Sequence, residues 1–342
     1  MPTNLTDKEK TGSMIVAQNL IFAKKRVMQD SLEVWKQLIR LLFVIIGGML
    51  LAWMFTMFAL FAAHSFDLTE ALEQSESLLN DIGMLRLSQT IQSFCLFVMP
   101  PFFLALINRE NPLTFLSLRK PGQRPLIYGI LSIVAAIPLI NVLVRWNEGL
   151  HLPASLNGVE TWMRQSEVAA TALTEKMLSG TTWLDLTLGL LIIALLAGFA
   201  EELFFRGLLQ QWLDRLLGRK HYAKTGTSPA WVKHVSIWVI AFVFSAIHLQ
   251  FFGFFPRLLM GAWFGYLLWW TGSIWVPIAA HITNNAFSVV FMFAENKGWL
   301  TSDPDTLGLE ASWWLSPISV LALISLAMMI RQGAKKQSIP QD

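Results

Sequence analysis

Long apolar runs, each near the length a helix needs to cross a bilayer, alternate along this chain with short segments rich in charge. A span takes about 20 apolar residues at a rise of about 1.5 Å each. That ruler predicts eight: Leu41–Ala63, Leu87–Ile107, Leu126–Val144, Leu184–Leu213, Val235–Gln250, Phe255–Thr271, Ile274–Phe293 and Trp313–Ile330. Pro100–Pro101 falls inside the second, where proline removes a backbone donor and crowds the preceding turn, so a kink or break is expected there. Between the third and fourth spans, "TWMRQSEVAATALTEKML" repeats apolar residues at helical spacing and predicts a partly amphipathic helix outside the bilayer, suited to packing or to a lid. Met14–Met28 predicts a short amphipathic helix on the membrane surface. No internal repeat is visible, which tells against an inverted-repeat transporter.

Composition sharpens the reading. Of the 342 residues 54% are apolar and only 14% charged, against roughly 25% charged in a soluble domain. The 15 Trp and 24 Phe suit interfaces and lipid-facing surfaces. The fold class expected is all-α, a polytopic membrane protein of about eight transmembrane helices; a soluble protein with buried helices does not fit. Cys95 is the one cysteine, which excludes an intramolecular disulfide and a cysteine-rich zinc module. The first thirty residues lack the uninterrupted apolar core and small-residue cleavage pattern of a secretory signal peptide.

The net charge of +3 matters less than its distribution. Seven Lys/Arg precede or include Arg40; Arg109, Arg119, Lys120 and Arg124 follow the second span; Arg215, Arg219, Lys220, Lys224 and Lys233 follow the fourth; Arg331, Lys335 and Lys336 lie in the tail. Alternate loops are acidic, with Asp67, Glu70, Glu73, Glu76 and Asp81 after the first span and Asp303, Asp305 and Glu310 after the seventh. Basic loops stay cytoplasmic, so both termini are expected inside, and the parity of eight spans agrees. Four regions are expected: a cytoplasmic segment 1–40, N-terminal helices and an extracytoplasmic loop 41–183, a membrane core 184–294, and a last helix with its tail 295–342. The surroundings are a lipid bilayer, and no nucleic-acid partner is expected.

Against this apolar background the ionisable residues within spans stand out. An acid there costs roughly 2.5–3.5 kcal/mol on insertion scales. "LLAGFAEELFFRGLL" carries Glu201, Glu202 and Arg206; His248 ends the fifth span, Arg257 opens the sixth and His281 lies in the seventh. Such residues usually face the bundle interior and pair with one another. Glu202 and Arg206 are four apart and can form an ion pair, which would serve equally to hold helices together. Glu201, about 100° round the helix, has no partner of its own and is the better candidate for a general base. His248 sits one turn after Phe244; alone it reads as an interfacial side chain. His281 and Asn285 share a face, supplying the two hydrogen-bond donors an oxyanion needs, or else a polar bridge between helices. Asn284 faces elsewhere and reads as structural, and Arg257 as a side chain snorkelling to the interface, with contact to a substrate carboxylate as the other option. Taken together, Glu201 and His248 could deprotonate a water, and no serine or cysteine stands beside a base. Glu201, His248 and His281 could instead hold zinc; no HExxH occurs, and no cofactor is favoured.

Three short motifs, in order and on separate spans, carry a resemblance: "EELFFR" (Glu201, Glu202, Arg206), "FSAIH" (Phe244, His248) and "HITNN" (His281, Asn285). They match EExxxR, FxxxH and HxxxN of the CPBP family of intramembrane proteases, which includes the type II CAAX prenyl proteases and bacteriocin-immunity proteins. "FRGLLQ" and "HLQFFGFFPRLLMG" resemble its bacterial branch. The resemblance covers roughly Leu184 to Phe293. It implies an endopeptidase, a hydrolase of the bacterial inner membrane, acting on peptide or protein substrates, membrane-anchored ones included. It also implies that Glu201 and His248 activate water, His281 and Asn285 stabilise the oxyanion, and Arg206 orients or neutralises the acids, with Glu202 in the motif and Phe244 supporting. A metal-independent glutamate mechanism is favoured over a metalloprotease. A non-catalytic immunity or binding protein of the same fold, and a proton-coupled transporter, are the competing expectations.

One expectation is geometric. In ideal spans Glu201 lies about 9–18 Å, His281 about 10 Å and His248 about 20 Å from the basic-loop face. If these residues act together, the fifth helix must begin below that face, with or without a shallow hairpin at "LQFFGFFP".

Overall fold

The computed structural model describes residues 7–63, 81–300 and 304–337, with side chains over residues 34–63, 81–300 (Ala223 apart) and 305–333. The acidic positions 67–76 and Asp303 lie outside the described residues. Among these residues there is no strand. Nine helices matter: α1 (Asp7–Ala63), α2 (Ile82–Ile107), α3 (Gln123–Glu148), α4 (Asn157–Leu178), α5 (Trp183–Tyr222), α6 (Ala230–Ala246), α7 (Phe254–Thr271), α8 (Trp275–Asn296) and α9 (Leu315–Gln337). Met1–Gly47 and Gly48–Asp342 are separate compact units. The stretch Met14–Met28 is helical as expected, but as part of the unbroken α1; its side chains lie outside the described residues.

Among the described residues, seven helices are long and apolar enough to cross a membrane. The expected fifth span is the departure. It runs over Ala230–Ala246 instead of Val235–Gln250. Its 17 residues reach about 26 Å, short of the roughly 30 Å hydrocarbon core. The helix stops because Ile247–Gln250 turns, with Leu249 at φ +54°, into a 3-10 turn at Phe251–Gly253 that leads to α7. α6 and α7 thus form a hairpin at the segment where one was expected.

The prolines of α2 do not break it. Instead the helix widens to π geometry over Ser93–Val98, and Pro100 and Pro101 open the α-helical stretch that follows, where their missing N–H groups matter least. α5 holds two more π stretches, Leu190–Leu196 and Leu203–Gln210, on either side of Ala197–Glu202. The N-terminal end of α5 is fixed by a capping box between Thr182 and Asp185 and by Arg86 of α2, which donates to Asp185 Oδ1 at 2.9 Å and to the Met177 carbonyl.

The core lies around α3, α7 and α8: Ile133, Phe264, Leu267, Val276 and Ala280 pack with Ile330 of α9. Large apolar side chains such as Leu131, Phe242 and Leu321 remain exposed, as lipid-facing surfaces require. The expected amphipathic helix is α4, whose residues reach the α6–α7 turn. Glu167 accepts from the Phe252 amide at 2.8 Å, Arg164 lies over the Phe252 ring, and Trp162 meets Phe251.

Candidate functional site

Glu202 is the buried centre of the polar cluster. It is fully buried, as is Arg206. Arg206 Nη1 donates to Glu202 Oε1 at 2.9 Å, which is the i,i+4 pair the sequence predicts. The same oxygen lies 2.8 Å from His281 Nδ1, a partner 79 residues away that spacing could not reveal. An arginine-paired carboxylate only accepts hydrogen bonds, so a proton sits on His281 Nδ1, and the ring's other nitrogen is Nε2. That Nε2 faces Glu201 Oε2 at 3.8 Å, just beyond hydrogen-bond reach. Phe264 stacks on the imidazole at 4.9 Å and fixes its plane.

Phe244 holds the cluster's other side. Its ring lies under Arg206 at 4.5 Å, meets His281 edge-on at 5.9 Å and touches His248 at 5.0 Å. One phenyl ring therefore separates the two imidazoles. Phe244 comes fourteen residues into α6 and His281 six into α8. Their contact requires α6 to start about 12 Å further out than α8, and its early start at Ala230 supplies part of that offset. His248, in the turn after α6, approaches the Phe244 carbonyl through Nδ1 at 2.7 Å. A carbonyl cannot donate, so Nδ1 carries the proton and Nε2 is free to accept one. No hydrogen bond in the structure joins His248 to Glu201.

Asn285 is four residues from His281, but its side chain is partly committed. Nδ2 donates to the Ile193 carbonyl in the first π stretch of α5 at 3.1 Å, and Oδ1 accepts from Asn284. One amide N–H remains. Arg257 departs from the snorkelling expectation. It is half-buried, and its guanidinium donates to the Gln250 side chain at 2.6 Å and to the Gln250 carbonyl at 3.3 Å. Among the described residues no group of three His, Cys, Asp or Glu converges to hold a metal ion. Phe244 stands against both His248 and His281, and the Nδ1 of His281 is already given to Glu202.

The sequence reading passed over how far the polar face continues. Gln210, one turn beyond Arg206, donates to the Gly265 carbonyl, and Asp214, one turn further, pairs with Lys233 at 2.8 Å. Beside them is a cavity of about 150 Å³, lined by Ser117, Gln210, Asp214, Lys233 and Ser236 among others. The signal was present as polar residues every fourth position at 202, 206, 210 and 214, of which Arg206 and Gln210 meet Gly261 and Gly265.

Seven bilayer-length helices and a buried carboxylate–guanidinium–imidazole cluster define a polytopic all-α integral membrane protein. Residues 183–287 match the family described as Type II CAAX prenyl endopeptidase Rce1-like. All three motifs fall inside that segment. The chain is also similar to Uncharacterized protein YpbD of Bacillus subtilis (strain 168), at 27% identity over 101 residues, 28% of this chain and 42% of that protein. The similarity thus spans less than half of the relative's length. No solved structure matches the chain.

Proposed function

We propose that this protein is an intramembrane endopeptidase that hydrolyses peptide bonds with a water activated by Glu201 and His248. The observation that carries the reading is the coincidence of the endopeptidase-family segment with the Glu202–Arg206–His281 cluster, next to which the Glu201 carboxylate stands 3.8 Å from His281 Nε2. Glu201 takes the proton as the water attacks the peptide carbonyl, and the bare Nε2 of His248 holds the water from the other side. A water bridging the two is required, since they share no direct bond. Glu202 is a positioning residue: it fixes the tautomer and plane of His281, and Arg206 offsets its charge. His281 Nε2 and the remaining N–H of Asn285 face the oxyanion. The mechanism uses no metal, in keeping with the poor fit of these side chains to a ligand set. The substrates are peptides or proteins, membrane-anchored ones included, and the setting is the bacterial inner membrane with both termini in the cytoplasm.

The test is cleavage of a fluorogenic peptide library by purified wild type and Glu201→Ala, with and without chelator. Activity lost in the variant and indifferent to chelator is the expected result. Loss to chelator would replace the metal-free mechanism with a metal site. Equal activity in both proteins would refute the assignment of Glu201, and a folded protein that cleaves nothing would favour a non-catalytic binding role.

A further inference from the structure

Helices α5 and α7 run side by side in the same sense, and two hydrogen bonds set their register. Arg206 Nη2 donates to the Gly261 carbonyl at 2.9 Å and Gln210 Nε2 to the Gly265 carbonyl at 3.2 Å. A step of four on one helix thus matches a step of four on the other. The glycines allow this closeness, since a Cβ at Gly265 would lie 2.7 Å from Gln210 Oε1. Continued one turn earlier, the same register brings position 257 of α7 level with position 202 of α5. The Arg257 guanidinium is held by Gln250, two residues after His248. Glu201 and Glu167 of α4 both attract it electrostatically.

The site otherwise lacks a cation free to meet a new negative charge. Arg206 is spent on Glu202 and Gly261 and enclosed by the rings of Phe205, Phe244 and Phe264. His281 gives Nδ1–H to Glu202, and Asn285 gives one N–H to Ile193. Gln250, by contrast, is a neutral and exchangeable partner on a turn.

We propose that Arg257 is a further catalytic residue, leaving Gln250 to bind the oxygen of the peptide carbonyl as it becomes an oxyanion. This rests on the hydrolase reading above. In the step concerned, the water oxygen bonds to the carbonyl carbon, the carbonyl π pair moves onto its oxygen, and the water proton passes to Glu201. Negative charge therefore moves from the Glu201 carboxylate to the oxyanion, with no change in total. When the pair returns, the C–N bond breaks and the amine nitrogen takes the proton back from Glu201. A cation in reach of both places stabilises the charge throughout, and a guanidinium keeps its proton at any working pH.

The experiment compares wild type, Arg257→Gln, Arg257→Lys and Glu201→Ala. It reads kcat and KM on one cleaved peptide and the inhibition constant of a phosphinate analogue of the same sequence, which carries the tetrahedral anion. Arg257→Gln should lower kcat about 10²–10³-fold, the usual cost of losing one oxyanion donor, with KM little changed. Phosphinate binding should weaken in proportion, and Arg257→Lys should recover part of both. Should Arg257→Gln fail to fold, the lysine variant, which keeps the charge and loses the fork, carries the comparison. An unchanged kcat overturns the proposal. So does a rise in KM confined to peptides with a free C-terminal carboxylate and absent from their amides, which would assign Arg257 to the substrate's end. If Glu201→Ala cleaves like wild type, the hydrolase reading fails as a whole; if it is dead while Arg257→Gln is unaffected, only the role of Arg257 falls.

Discussion

Replacing Arg206 with methionine asks what the buried pair contributes. The side chains of Arg206 and Glu202 are 1% and 0% exposed, so removing the guanidinium leaves a carboxylate with no water to turn to. Glu202 Oε2 already lacks a hydrogen-bond partner, and Oε1 would keep only His281. Breaking one side of such a pair costs about 3–5 kcal/mol, because the remaining charge is stranded. The double variant Glu202→Gln/Arg206→Met should recover most of that. Its glutamine oxygen can still accept from His281 Nδ1, and no net charge is left behind; neutral replacements of buried pairs are often near cost-free. Unfolding in detergent by denaturant titration, followed by tryptophan fluorescence, measures all three proteins. A single variant within about 1 kcal/mol of wild type, far under the stranded-charge cost, would refute the reasoning. A double variant no more stable than the single would do so too, since packing of the long side chain would then be the whole effect.

Three further outcomes follow from local geometry. Gly265→Val should destabilise by about 1–3 kcal/mol through overpacking: the Gln210 amide at 2.7 Å can yield, but buried Ile237 at 3.0 Å cannot; in the same unfolding assay Gly158→Ala, with nothing within 4 Å of its new Cβ, should be neutral or gain up to about 1 kcal/mol. At the start of α4, hydrogen bonds from Arg164, the Leu152 amide and His151 hold the Glu160 carboxyl down at about 2, below its ordinary 4.5. A depressed folded-state value stabilises the fold above the ordinary value and is lost on acidification, so the thermal-stability gap between wild type and Glu160→Gln should narrow as pH falls from about 4.5 towards 2; a gap constant across that range would show the bonds to be indifferent to charge.

Much of the architecture could be read from apolar run length, because a bilayer span leaves few ways to arrange twenty apolar residues. The Glu202–Arg206 pair was equally readable, being local. What escaped was set by other helices. His281 meets Glu202 across 79 positions, and which imidazole nitrogen carries the proton depends on that contact alone. The α6 boundaries shifted because Ile247 and Leu249 are apolar enough to continue a span, yet the chain turns there to reach α7. Arg257 read as an interfacial side chain because its partner, Gln250, lies across a turn that sequence spacing did not announce. The π stretches of α5 were invisible, since an i+5 bond leaves no mark on an apolar sequence.

Those π stretches make α5 a helix assembled from separately phased pieces. Ala197–Glu202 is bracketed by Leu190–Leu196 and Leu203–Gln210, and each widened turn acts like one residue inserted into a regular helix. The acids are thereby uncoupled in rotation from both ends of their own helix. The N-terminal end can keep its capping box and its bond from Arg86, and the far end its pairing of Asp214 with Lys233, while the short middle piece aims independently. Sequence drift at either end of α5 can then be absorbed without turning Glu201 away from His281, so the chemistry and the anchoring of this helix are free to evolve on separate terms.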